Sequence, residues 1–318
     1  MRYIKNFLKE FDRTISEAFF NLEMTKPFVI SLILHKIYPQ KSDVNFEHGT
    51  ISEGITIDDF EKIILFFAKR NFTFITDKDL IKKEPLSNKK NVFITFDDGY
   101  HNNFLIHDIL KKYKAKATIY LSTNHIEEAK NYWWDALYKE RKKLNSTHAL
   151  MNDELKNLYE LKWQEQEQYV ISNFGEDSLY KSTDLMRAMT KHELKTMSIN
   201  PEFSFGNHTH NHLNLTLHSE KEIITSYTIA NDFIKQNTYT EVSSIAYPFG
   251  FYNDEVSKIT SAFGFKIAVT TTKGLDIEFD KKLIELNRNF ISGKFSINSQ
   301  CSNMLLGKSL FNRILKRD

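Results

Sequence analysis

Asn91-Val92-Phe93-Ile94-Thr95-Phe96-Asp97-Asp98-Gly99-Tyr100 is the stretch that decides the fold. Val92 to Phe96 is an unbroken run of β-branched and aromatic residues, as in a strand buried on both faces. It runs directly into two adjacent carboxylates and a glycine, so the strand delivers polar chemistry at its carboxyl end. Phe28-Val-Ile-Ser-Leu-Ile-Leu-His35 has the same form, an apolar run closed by one polar side chain. Between the two, Phe60, Ile63, Ile64 and Phe67 recur at helical spacing and Phe72-Thr-Phe-Ile75 reads as a short strand. Beyond Tyr100, a helix through Leu110 and Tyr113 precedes the strand Ala117-Thr-Ile-Tyr-Leu121. This strand-helix alternation predicts an α/β fold with a parallel sheet, and the polar strand ends predict a barrel whose active site lies at the carboxyl face.

From about residue 130 to 195 the pattern changes to Lys, Glu, Gln and Leu at helical spacing, with Trp133-Trp134-Asp135 near the start and Trp163 in the middle. We read this as a helical insertion. Strand-helix units resume at Phe203-Ser-Phe-Gly-Asn207 and continue through a helix over 219–237, Val242 to Gly250, Ile267 to Thr271, and Leu286-Asn-Arg288-Asn-Phe-Ile291. The expected organisation is an amphipathic helical segment over 1–27, a barrel over 28–300 and a basic amphipathic helix over 301–318. Both terminal helices either pack on the barrel or lie on an anionic membrane surface.

The 318 residues suit one large domain with an insertion, and neither 5 Pro nor 10 Gly marks a linker. A net charge of +2, from 43 basic and 41 acidic residues, gives no field that would recruit nucleic acid. The single cysteine, Cys301, allows no intramolecular disulfide. No stretch approaches ~20 consecutive apolar residues, and the charged N-terminus does not read as a secretory signal. The expectation is a cytoplasmic protein, membrane-associated if its terminal helices make that contact.

The chemistry concentrates in two places. Asp97 and Asp98 are adjacent on an extended strand end, so their side chains diverge and can take separate tasks. Phe205-Gly-Asn-His208-Thr-His210-Asn-His212 offers three imidazoles within five residues. A carboxylate and two imidazoles form a donor set for a divalent metal with positions left open for water and substrate. The plainer readings are a solvated turn or helix cap for Asp97-Asp98-Gly99, and hydrogen-bonded core histidines for the cluster.

Thr95-Phe-Asp97-Asp98-Gly-Tyr100 followed by His208-Thr-His-Asn-His212 resembles the first two motifs of the polysaccharide deacetylases, carbohydrate esterase family 4. The resemblance runs from about Phe28 to Ile291 and takes in Ala117 to Leu121, Trp133-Trp-Asp135 and Ala246-Tyr-Pro-Phe-Gly250. It implies a distorted (β/α)7 barrel with the helical insertion over its site. It also implies that Asp97 is the general base, that Asp98, His208 and His212 hold a divalent metal, zinc by preference, and that Tyr247, Pro248 and Phe249 lie at the substrate and oxyanion position. Many members have an Arg beside the Pro-Tyr segment and a late His as general acid; this chain has no such Arg, and no His follows His218. In this it is similar to the poly-N-acetylglucosamine deacetylases, whose acid is a His on an early strand. His35 matches that position and Arg288 is the candidate to orient Asp97; the plainer readings are a strand-capping histidine and an ordinary ion pair.

The function so implied is metal-dependent removal of an N-acetyl or other acyl group from an amino sugar that is polymeric, nucleotide-linked or lipid-linked, in surface polysaccharide or glycolipid biosynthesis. An amidase acting on a small non-sugar amide would share every metal residue. A non-haem iron oxygenase would not need the second Asp, and a non-catalytic glycan-binding protein would not need the base. Trp133, Trp134 and Trp163 could stack on sugar rings, although burial is the commoner fate of such residues.

Overall fold

The computed structural model describes residues 26–44, 54–82, 86, 89–146, 148–180, 183–238, 240–277 and 283–306. The expected N-terminal helix and most of the C-terminal one lie outside these residues, and so does any membrane contact they make. Among the described residues no helix is long and apolar enough to cross a membrane.

The strands, in chain order, are β1 (Phe28–Leu34), β2 (Ile37–Tyr38), β3 (Ile55–Thr56), β4 (Thr73–Ile75), β5 (Lys90–Phe96), β6 (Ala117–Leu121), β7 (Phe203–Asn207), β8 (Ser244–Ala246), β9 (Ile267–Val269), β10 (Asp276–Ile277) and β11 (Asn289–Phe290). The two diagnostic apolar runs are neighbours: β1 and β5 pair in parallel from Phe28↔Lys90 to Leu34↔Phe96. The sheet continues through β6, β7, β8 and β9, all in parallel, while β10 pairs antiparallel with the start of β1. Leu286 makes a parallel bridge to Val269, and β11 pairs in parallel with Leu32 and Ile33 of β1. The stretch 286–290 thereby joins the two edges and curls the sheet into a distorted (β/α)7 barrel.

Strand periodicity sorts the side chains into two layers. Val92, Ile94 and Phe96 point outward into the main core, against Phe60, Ile63, Ile64 and Phe67 of the helix Ile57–Ala68. That helix begins at a capping box in which Thr56 and Asp59 satisfy each other's backbone N–H groups. Phe93 points inward with Val29, Tyr120, Ile267 and Val269. Asp97 continues the inward series of Phe93 and Thr95, so the base candidate stands at the top of the barrel interior because of its parity.

The helices Trp133–Lys143, His148–Tyr159 and Trp163–Phe174 form the helical segment. Tyr132, Trp133, Trp134, Leu137, Leu155, Val170 and Leu179 make it a core of its own, which reaches the barrel through Tyr100 and Phe249. Trp133 and Trp134 are 4% and 2% exposed, so neither offers a face to a sugar; Trp163 is half-buried. The helix Lys191–Ser198 straddles the expected end of the insertion at about residue 195, and its Leu194 and Met197 lie in the main core.

Candidate active site

The carboxyl ends of β1, β5 and β7 converge on one buried cluster. Asp98 leaves β5 with φ of 74° and Gly99 follows at 80°, a left-handed pair that turns the chain sharply away from the strand. A Cβ on Gly99 would sit 2.7 Å from Leu121 Cδ2, so the turn requires glycine on two counts. The loop after β7 is held as tightly. Thr209 and His212 have φ of 63° and 52°, unusual for non-glycine residues. Asn207 Oδ1 accepts from the Thr209 N–H at 2.6 Å, Thr209 Oγ1 accepts from the Leu213 N–H at 2.9 Å, and Asn207 Nδ2 donates to Asn231 Oδ1 at 2.7 Å. With Phe249, four of the eight positive-φ non-glycine residues described belong to this cleft, where the surroundings hold strain in place.

Asp98, His208 and His212 each offer one ligand atom, and these atoms lie within 4.8 Å of one another, all buried. His208 Nε2 and His212 Nε2 stand 3.5 and 3.3 Å from Asp98 Oδ1. His208 Nδ1 donates to the Ala246 carbonyl at 2.8 Å, so in the neutral imidazole its Nε2 carries a lone pair aimed at the carboxylate. Burial pushes the His212 imidazole down to about 4, against the pull of Asp98. Burial alone would raise the Asp98 carboxyl, but the two imidazoles outweigh it and hold it well below the usual range. Neither Asp98 oxygen has a hydrogen-bond partner among the described residues. Buried acceptors that face one another in this way require a cation or protons between them, so the donor set fits a divalent metal.

Asp97 is next to the cluster and is held differently. Its carboxylate accepts from Arg288 Nη1 at 2.6 Å and Nη2 at 2.7 Å, a bidentate fork, with Asp97 Oδ2 4.0 Å from His208 Nε2. Arg288 is fully buried and also donates to the Thr270 carbonyl and to Thr95 Oγ1. Burial works to raise the Asp97 carboxyl, and Arg288, His208 and His35 together keep it below the ordinary value. The β1–β5 register puts His35 beside Asp97, whose N–H donates to the Leu34 carbonyl at 2.9 Å. The His35 ring stacks on Phe290 at 6.5 Å.

Phe249, with φ of 58°, brings its ring to 4.3 Å from that of His212. Pro248 is buried in the same turn. Tyr247 stands apart from the group: its ring stacks on Tyr252 at 4.9 Å and its hydroxyl donates to the Ile284 carbonyl at 3.1 Å. His210 also turns away, its Nδ1 2.9 Å from Thr123 Oγ1.

Sequence reasoning missed a second buried ion pair in the cleft wall. Lys36 Nζ, one residue after His35, bonds to Asp135 Oδ1 and lies 4.4 Å from the Tyr100 ring centre. Tyr100 OH donates to Asp135 Oδ2 at 2.7 Å and accepts from Trp134 Nε1 at 3.1 Å, and the Trp134 ring is 4.8 Å from that of His212. Burial would lower the Lys36 ammonium, yet the Asp135 charge raises it on balance. The available signal was a Lys immediately after a strand-end His.

Residues 85–268 match the family model described as polysaccharide deacetylase. The chain is 25% identical over 236 residues to the poly-beta-1,6-N-acetyl-D-glucosamine N-deacetylase of Staphylococcus aureus, covering 72% of this chain and 64% of that protein. It spans 64–66% of the length of the curated relatives it matches first. In three dimensions it is similar to the Streptococcus pyogenes deacetylase PplD in complex with acetate, with a TM-score of 0.61 and 22% identity over 88% of this chain and 99% of that one. It is also similar to IcaB from Ammonifex degensii, with a TM-score of 0.58 and 13% identity over 88% and 97%. These two likenesses establish the shared fold.

Proposed function

The chain belongs to the polysaccharide deacetylase family, and from that membership and the cleft geometry we propose that it hydrolyses the N-acetyl group of an amino sugar with a divalent metal, zinc by donor chemistry. The observation that carries this reading is one buried cleft holding two adjacent carboxylates in opposite situations. Asp97 is clamped by Arg288, while Asp98 is left to two imidazoles, both its oxygens having no hydrogen-bond partner among the described residues. Asp98, His208 and His212 would hold the ion, which supplies Lewis acidity toward an acyl carbonyl and a water.

The remaining work falls to the chain. Asp97 takes the proton of the attacking water, and the Arg288 fork fixes the direction of its lone pairs. His35, beside it just after β1, gives a proton to the departing nitrogen. The turn at Phe249 offers backbone N–H to the oxyanion of the tetrahedral intermediate. Phe249 and Trp134 close around His212 and keep that part of the cleft dry. Products are acetate and a free amine. The S. aureus relative, a poly-beta-1,6-N-acetyl-D-glucosamine N-deacetylase, supports a substrate of the poly-N-acetylglucosamine type.

Acetate release from N-acetylglucosamine oligomers by zinc-loaded wild type, with Asp97→Asn alongside, tests the proposal. Release by wild type, reduced about 10²- to 10⁴-fold in the variant, is expected for loss of a general base. Equal release by both would remove Asp97 from the mechanism; silence from both with zinc bound would turn the reading toward a non-sugar amide.

A further inference from the structure

β1 ends at Leu34, the last residue paired with β5, and His35 and Lys36 belong to no strand. The proposed acid therefore stands where the sheet ladder has stopped. The bonds that fix the main chain there come from the turn after Asp98. Asn103 Nδ2 donates to the His35 carbonyl at 2.6 Å, and Asn102 Oδ1 accepts from the Ile37 N–H at 3.3 Å. Both amides belong to the 3-10 helix His101–Ile106, which begins directly after Tyr100. The peptide that carries Asp97 and Asp98 thus continues into the one that holds His35.

The two amides are used differently. Asn102 works on both sides, its Nδ2 donating to the Leu185 carbonyl at 3.4 Å. Asn103 is fully buried, and its Oδ1 has no hydrogen-bond partner among the described residues. A buried amide with half its capacity unused carries a desolvation cost that an apolar side chain of similar size would avoid. Its orientation is dictated by the carbonyl it meets, which can only accept, so the amide NH2 faces His35. What Asn103 contributes is a directed bond to the main chain of that residue.

We propose that Asn103 is a positioning residue for the acid step, its amide fixing the His35 main chain so that the imidazole meets the departing nitrogen in register with Asp97. The inference rests on the deacetylase reading of the cleft, in which His35 is the acid. In that step the C–N bond of the tetrahedral intermediate breaks with its electron pair passing to nitrogen, which takes the His35 proton. The acyl carbon, now bonded to the oxygen of the attacking water, leaves as acetate. An amine nitrogen departs only when protonated, whereas a nitrophenolate departs as the anion. Misplacing His35 therefore penalises amides and spares activated esters.

The test compares the zinc-loaded full chain with Asn103→Leu, and with Asn103→Ala should leucine overpack the site, on N-acetylglucosamine pentasaccharide and on 4-nitrophenyl acetate. The kcat for acetate release from the pentasaccharide is expected to fall about 10- to 100-fold, with KM and the ester rate within about twofold of wild type. His35→Ala should show the same selectivity, and adding Asn103→Leu to it should cost less than about twofold more, because both changes remove one function. A readout without turnover uses 15N-histidine-labelled protein, with the His35 ring signal identified by its loss in His35→Gln. Asn103→Leu should move that signal and leave those of His208 and His212 in place. An ester rate that falls as far as the amide rate, a double variant slower than His35→Ala by the full factor of the single one, or an unmoved His35 signal would each overturn the role. If His35→Ala matches wild type on the pentasaccharide, His35 is not the acid and the role of Asn103 falls with it. If wild type releases no acetate while the His35 signal moves in the variant, the hold of Asn103 on His35 stands and the deacetylase reading fails.

Discussion

Arg288 and Asp97 form the fully buried ion pair on which the proposed chemistry depends. A buried pair costs desolvation on both sides, and removing one partner strands the other's charge. Arg288→Met is therefore expected to destabilise the protein by about 3–5 kcal/mol in denaturant unfolding and to abolish activity. Arg288→Lys should recover part of the stability but little of the rate, because an ammonium cannot make the two-point fork that orients Asp97. Wild-type stability in the Met variant would show that the pair is not what holds Asp97. The same logic applies to Lys36 and Asp135, whose side chains are 9% and 10% exposed. Lys36→Met and Asp135→Leu should each cost about 3 kcal/mol or more alone, and the double variant should be closer to wild type than either. A double-mutant cycle measures this directly, and strictly additive losses would contradict the pairing. Tyr100 and Trp134 link this pair to His212, so each single variant should also lower metal affinity.

At the scale of elements, the barrel helix Lys191–Ser198 is started by Thr190 and Glu193. Glu193 Oε2 accepts from the Thr190 N–H at 2.9 Å while both carboxylate oxygens accept from Arg187 at 2.8 Å. The Arg187 fork, against burial that would raise it, and the Thr190 N–H pull Glu193 down to about 2 from the ordinary 4.5. A carboxyl lowered on folding stabilises the native state above its unfolded value and loses that contribution as pH falls through its folded one. The Arg187→Met variant should thus be less stable than wild type by about 1 kcal/mol at pH 7, the size expected for a pair 28% exposed on its acidic side. The gap should narrow below pH 4.5 toward pH 2. Thermal unfolding of both proteins across that interval decides it, and a gap constant with pH would assign the loss to packing.

At the scale of the molecule, the proposed metal ligands join two barrel strands distant in sequence, with Asp98 after β5 and His208 and His212 after β7. A ligand that binds only the folded state stabilises it by mass action, about 4 kcal/mol at a thousand times its dissociation constant. Zinc should therefore raise the melting temperature, chelation should reverse it, and His212→Gln should lose most of the response. A zinc shift that survives in the variant would place the ion elsewhere. Much of this arrangement was legible in the chain. Apolar runs ending in Asp97-Asp98 and His35, and two imidazoles four residues apart, are local patterns, because strand burial and loop spacing act over a few residues. The resemblance to a family added the barrel and the assignment of roles. Which side chains pair across the fold had no local signature. Arg288 reaches Asp97 across 191 residues, and Lys36 reaches Asp135 across 99. Tyr247 reads as part of the cleft, yet its ring lies in the core beneath it, two residues before Phe249 in sequence but on the other side of a turn. The sequence by itself determined which strand ends carry the carboxylates and imidazoles of the proposed site, because those are local patterns. Tertiary structure alone decided which charges meet, since barrel closure through residues 286–290 and the β1–β5 register set those pairings, and both follow from packing the whole sheet.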